Sequence, residues 1–142
     1  MLSESQAPKR ALVIYHYFEK DQSYMDNFCH FLRFAYKPNQ DFLIIVAGSH
    51  TIDLPRAPNI QYFMVPNENF DFGGYAKAIR ALVFEKLYDH FIFVNASVRG
   101  PFIPPYAKLS WLDALLALLT PQVGIAGTAI SLTPKEHAIA KL

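Results

Sequence analysis

The feature that most constrains this chain is a pair of apolar runs that lack the polar alternation of a half-wet strand. One is Ala-Leu-Val-Ile-Tyr-His-Tyr-Phe over residues 11–18, and the other follows Asp41 as Phe-Leu-Ile-Ile-Val-Ala. A strand with one solvated face alternates apolar and polar side chains, whereas a strand covered on both faces reads as a continuous apolar run. Both runs therefore predict strands sandwiched between layers. Between them, Met25, Phe28, Cys29, Leu32 and Tyr36 recur at helical spacing, with Ser23 as the expected N-cap and Pro38 as the stop.

The same grammar continues. Residues 59–65 and 91–94 read as a third and a fourth strand, separated from the second by a proline-bearing loop over 50–58. Gly73 and Gly74 open a helix whose apolar face is Tyr75, Ala78, Ile79, Leu82 and Val83. Pro104 and Pro105 mark a loop, Leu112, Leu115, Leu116 and Leu119 a helix, and residues 123–132 a fifth strand. Buried strands alternating with amphipathic helices predict an α/β fold, Rossmann-like, with a mostly parallel sheet and flanking helices. The 142 residues predict a single domain over 1–142, with 1–10 as a flexible polar tail.

Composition removes several classes of function. Apolar residues make up 52% and charged residues 18%, which excludes a disordered chain. A net charge of +1 carries no electrostatic footprint for nucleic acid, so no such partner is expected. One cysteine excludes an intramolecular disulfide and a cysteine zinc site. His16, His30, His50, His90 and His137 do not pair at ligand spacing, so no histidine metal site is expected. The polar first ten residues are unlike a secretory leader. The richest late apolar stretch, 112–119, contains Asp113 and is far too short to span a bilayer. The expectation is a cytoplasmic protein without an integral membrane segment.

In open parallel sheets, ligands bind beyond the carboxyl ends of the strands at the topological switch point. That rule selects residues 17–21, 67–74 and 95–102. In the second segment, Gly73 and Gly74 at a helix start permit close backbone approach and favour a phosphate, while Asp71 can accept from a ribose or base. Alternatively Asp71 is an N-cap and the glycines a tight turn. In the third, Asn95 and Ser97 stand two apart and project the same way, and Arg99 offers a planar cation suited to a diphosphate. Alternatively the first two satisfy local backbone and Arg99 forms a surface ion pair. Tyr17 and Phe18 either stack on a base or finish the core, with Glu19 behind them.

Two stretches together, Asn67-Glu-Asn69-Phe-Asp71-Phe-Gly73-Gly74-Tyr75 and Phe91-Ile-Phe-Val-Asn95-Ala-Ser97-Val-Arg99-Gly-Pro-Phe102, resemble glycosyltransferases of the GT-A type. The likeness is to the polysaccharide-biosynthesis group related to rhamnan-synthesis proteins, and it runs from about residue 11 to residue 132. Phe70 departs from the pattern, near a position often held by glycine.

The resemblance implies transfer of a sugar from a nucleotide-diphospho-sugar to a glycan or lipid-linked acceptor. The nucleotide would be bound by Tyr17, Phe18, Asn67, Asn69, Asp71, Gly73, Gly74, Asn95, Ser97 and Arg99. It implies that Asp71 and the end of the first strand face the nucleoside, and that the segment after the fourth strand faces the diphosphate. Many GT-A enzymes carry an Asp-x-Asp pair for a divalent metal where this chain has Asn95 and Ser97. The expectation is therefore no metal ligands proper, and at most a divalent ion held weakly with the donor diphosphate, with Arg99 neutralising the leaving group. Glu136 and His137 are the only late candidates for a general base. The chain then corresponds to the donor-binding half of such a fold, with the acceptor half missing. A non-catalytic nucleotide-sugar-binding module or truncated paralogue is the alternative. An apolar face left by that half would promote self-association.

Overall fold

The structure, a computed structural model, describes residues 10–82 and 87–128. The chain divides into two compact units, Met1–Pro101 and Phe102–Leu142. The first contains four strands, β1 (Ala11–Phe18), β2 (Asp41–Ala47), β3 (Ile60–Val65) and β4 (His90–Asn95), and two helices, α1 (Gln22–Ala35) and α2 (Phe70–Leu82). All strands run parallel in the order β3-β2-β1-β4. The chain thus steps outward from β1 to β3 and then returns past β1 to place β4. The reversal between β1 and β4 is the switch point of a Rossmann-like α/β sheet.

The uninterrupted apolar pattern of β1 and β2 has its cause in two covered faces. Leu12, Ile14, Leu43, Ile45, Ala47 and Val65 pack with Tyr75 and Ala78 of α2. The alternate residues face α1, where Tyr15 lies 4.4 Å from Phe31 and Tyr17 stacks 4.5 Å from Phe28. Such ring pairs contribute about 0.5–1.5 kcal/mol each beyond their area.

Helix α1 begins one turn before the apolar spacing does. Asp21, rather than Ser23, is its N-cap, accepting from the Ser23 and Tyr24 amides. On its inner face Asn27 is buried and donates to the Ala96 carbonyl at 2.9 Å, clasping the helix to the segment after β4. The β2–β3 connection has no helix. Gly48 ends β2 at φ 76°, a left-handed value that suits glycine, and its amide donates to Val65.

In the second unit, α3 (Trp111–Leu116) is capped by Ser110, whose hydroxyl accepts from the Asp113 amide. Beyond it Thr120 and Val123 form an isolated antiparallel bridge. No strand forms over 124–128, and residues 129–132 of the expected fifth strand lie outside the described residues. Among the described residues no helix is long and apolar enough to cross a membrane.

Candidate functional site

At the switch point, the parallel register sets His16 of β1 directly beside Asn95 of β4. Helix α2 lies over this pair. Its second turn brings Gly74 against His16: a Cβ there would stand 2.5 Å from the imidazole Cδ2 and 2.7 Å from Nε2. The glycine is required by this contact, since no side chain fits between helix and ring. Gly73 is required for a different approach, because a Cβ on it would run into the Glu68 carbonyl and stand 2.7 Å from the Asn69 Cβ. The glycine pair therefore lies inside the helix, which starts at Phe70. It neither opens the helix nor forms a tight turn.

Asn69 and Phe70, just before and at the start of α2, adopt φ of 57° and 56°. Consecutive left-handed residues without glycine are strained, at roughly 1–3 kcal/mol each, and persist only where their surroundings hold them. The Gly73 amide bonds the Asn69 carbonyl at 3.0 Å, and Lys77 pairs with Glu68 at 2.7 Å, fixing the turn. The consequence is placement: the turn leaves Phe70 and Phe72 exposed and turns Asp71 toward β4.

Asp71 is not the N-cap. Its Oδ2 accepts from Asn95 Nδ2 at 2.9 Å, and its Oδ1 accepts from the Phe72 amide at 3.0 Å. Asn95 Oδ1 in turn accepts from the Ser97 amide and hydroxyl, at 3.1 and 2.5 Å. Asp71, Asn95 and Ser97 thus form one hydrogen-bonded chain across the exits of two elements. Beside it opens a pocket of about 370 Å³ lined by Asp71, Phe72, Tyr75, Phe93 and Asn95. Tyr75 is fixed by its hydroxyl, which donates to the Val94 carbonyl at 2.7 Å, and its ring lies 5.0 Å from Phe93 and 6.1 Å from Phe72.

Beneath this chain His16 is buried, and its Nε2 has no hydrogen-bond partner among the described residues. Burial pulls the imidazole below its usual pKa, an effect that the Asp71 charge offsets only in part. Burial therefore favours the neutral ring.

The other expected site residues take no part in this hydrogen-bonded chain. Tyr17 is fully buried on the α1 face, and its hydroxyl donates to Glu19 at 2.8 Å, so it belongs to the core. Phe18 is half-buried, packed against the α2-side core and edge-on to Tyr24. Glu19 accepts from the Thr51 hydroxyl at 2.6 Å and from the Thr51 and Ile52 amides, tying β1 to the loop after β2. Asn67 and Asn69 are exposed on the turn before α2. Arg99 is exposed on the loop after β4 and enters no ion pair with the described residues.

Glu136 and His137 lie outside the described residues. The pocket walls Phe72, Tyr75 and Phe93, together with His16, are functional candidates outside the expected nucleotide-binding residues, with Tyr75 expected only on the apolar face of its helix. The available signal was the excess of aromatics on either side of Asp71. No protein family, curated protein or solved structure matches this chain.

Proposed function

We propose that the chain binds a nucleotide-diphospho-sugar at the carboxyl ends of β1 and β4 and transfers its sugar to a glycan or lipid-linked acceptor. One observation carries this reading: Asp71, Asn95 and Ser97, drawn from two separate segments, meet in a single hydrogen-bonded chain beside an aromatic pocket at the switch point. In the reaction an acceptor hydroxyl attacks the anomeric carbon, and the bond from that carbon to the diphosphate oxygen breaks. The nucleoside diphosphate leaves with the electron pair, and the hydroxyl proton passes to a base. Arg99, exposed after β4 with no ion-pair partner among the described residues, is the cation available to the leaving diphosphate.

The donor set at this site does not fit a divalent cation. It offers a single carboxylate, Asp71 of α2, beside neutral oxygens of Asn95 and Ser97, and the Asn95 amide oxygen already accepts twice from Ser97. No step is routed through a metal.

A second reading, a nucleotide-sugar-binding module without turnover, is favoured by the state of the two carboxylates that follow β1 and open α2. Glu19 is held by Thr51, Ile52 and Tyr17, and each Asp71 oxygen accepts one bond, from Phe72 or from Asn95, so both carboxylates are engaged by the chain and neither stands as a free base.

Calorimetry with UDP-, GDP- and dTDP-sugars, followed by donor-hydrolysis and transfer assays, separates the two. Binding with turnover supports the transferase. Binding without turnover supports the module, and no binding defeats both. Chelation is expected to leave donor affinity unchanged, and a strict Mn²⁺ requirement would overturn the metal-free donor site.

A further inference from the structure

The pocket beside Asp71 has walls and a rim that select among parts of a ligand. Its walls are the rings of Phe72, Tyr75 and Phe93, and its polar lining is confined to Asp71 and Asn95. No lysine or arginine is among its lining residues. A carboxylate at the rim, with no cation beside it, repels phosphate. The hydrogen-bond inventory narrows this further. Each Asp71 oxygen has accepted one bond, from Phe72 on one side and Asn95 on the other, which leaves each a free lone pair. Asn95 Oδ1 has accepted two bonds, while its amino group has donated one and keeps one hydrogen. The unspent capacity is two neighbouring acceptors on Asp71 and one donor on Asn95.

Exposure points the same way. Phe72 is 79% exposed and Phe70 86% exposed, on a backbone strained at Phe70 itself. Strain in the turn that immediately precedes the pocket residue Asp71, with the Phe72 ring of the pocket turned outward, is the arrangement expected where a ligand completes the packing.

We infer that this pocket takes an uncharged ring whose edge presents two adjacent hydrogen-bond donors to the Asp71 carboxylate and an acceptor to the Asn95 amide, with its face against the aromatic wall. Two sources share that chemistry: the vicinal diol of a sugar, and the amide-and-amino edge of a guanine-like base. The inference rests on the proposed donor-binding function and adds to it. The pocket holds a ring of the donor, and the diphosphate lies outside, toward Arg99.

The test uses the full chain and neutral probes, with binding followed by calorimetry and by aromatic side-chain NMR shifts of Phe72 and Phe93. The probes are guanosine, 2′,3′-dideoxyguanosine, inosine and methyl α-D-mannopyranoside. A base-edge source predicts that inosine, which lacks one edge donor, binds about tenfold more weakly than guanosine while the dideoxy compound is unaffected. A diol source predicts the reverse, together with binding of the mannoside. In either case Asp71→Asn, which replaces one acceptor with a donor, weakens binding about tenfold or more. Phe72→Leu weakens it too, and because that side chain is exposed the variant does not endanger the fold.

Displacement of the probe by pyrophosphate, failure of every neutral probe to bind, indifference to both deletions, or unchanged affinity in both variants would overturn the inference. Turnover is read separately. Probe binding with this pattern but without sugar transfer leaves the pocket assignment standing and removes the transferase. Donor turnover with unchanged affinity in both variants does the opposite.

Discussion

At the scale of single residues, two buried side chains are in tension with their surroundings. Tyr15 is fully buried between Phe28 and Phe31, and its hydroxyl has no partner among the described residues. A buried hydroxyl without a bond costs about 1–3 kcal/mol, so Tyr15→Phe is expected to stabilise the protein by about 1 kcal/mol and raise the Tm by a few degrees. A lower Tm in that variant would show that the hydroxyl is satisfied. Gly74 is the opposite case. Gly74→Ala drives a methyl into His16, which the sheet holds, and overpacking of this kind costs about 1–3 kcal/mol. Gly124→Ala, where a Cβ meets nothing within 4 Å, serves as the control and is expected to change stability by no more than about 0.5 kcal/mol. Equal effects at the two positions, read from denaturant midpoints, would contradict the packing role of Gly74.

At the scale of elements, α1 and the segment after β4 are joined by a buried hydrogen bond, from Asn27 to the Ala96 carbonyl, and by a half-buried one between His30 Nε2 and the Pro101 carbonyl. Asn27→Ala leaves that carbonyl unpaired and opens a small void, a loss of about 2 kcal/mol in urea titration. Because Ala96 lies between Asn95 and Ser97, donor affinity is expected to fall as well, which Tyr15→Phe should not cause.

The same elements show what a sequence can disclose. The bounds of β1 and β2 are legible because burial on both faces writes itself as an unbroken apolar run. The start of α2 is not legible. Two glycines ordinarily mark a turn, and nothing local signals that these two serve contacts with His16, 58 residues earlier in sequence, and with the Glu68 carbonyl. The spacing of Asn95 and Ser97 announced a shared direction. It did not announce that Asp71 would be their third member, since that pairing depends on the strand order, and strand order is a non-local property. Tyr17 was ambiguous for a related reason: an aromatic that ends a buried strand looks the same whether it faces a ligand or a helix.

At the scale of the whole molecule, two properties follow from the sum of these placements. Phe70, Phe72 and Met64 in the first unit, and Tyr106 and Ile125 in the second, are exposed large apolar side chains on a chain whose net charge is only +1. Self-association at high concentration is expected on that basis, and a clean monomer by light scattering would contradict it.

The second property is an acid response with two parts. Burial favours the neutral form of His16, so its folded pKa lies below the unfolded value of 6.5. The groups that face it are Asp71 and Tyr75 of α2, and the Asp71 charge only partly offsets the burial. The unfolded chain takes up this proton first, so the contribution of His16 is complete above about pH 6.5 and declines as pH falls below it. Glu19 acts lower on the scale. The Thr51 hydroxyl foremost, then Tyr17 and the Thr51 and Ile52 amides, hold its carboxyl down to about 2 from an ordinary 4.5. That stabilisation is complete above about pH 4.5 and is lost as pH falls toward 2. Denaturant midpoints from pH 8 to 2.5 should therefore decline in two stages. Glu19→Gln should flatten the lower stage and leave the upper one. NMR of the His16 ring should find it less protonated at pH 6.5 than an exposed histidine, which is half protonated there. Titration of His16 at or above that value would remove the buried ring from the upper stage, and an unchanged lower stage in Glu19→Gln would show that the loop-binding carboxylate does not shape the acid limit of the fold.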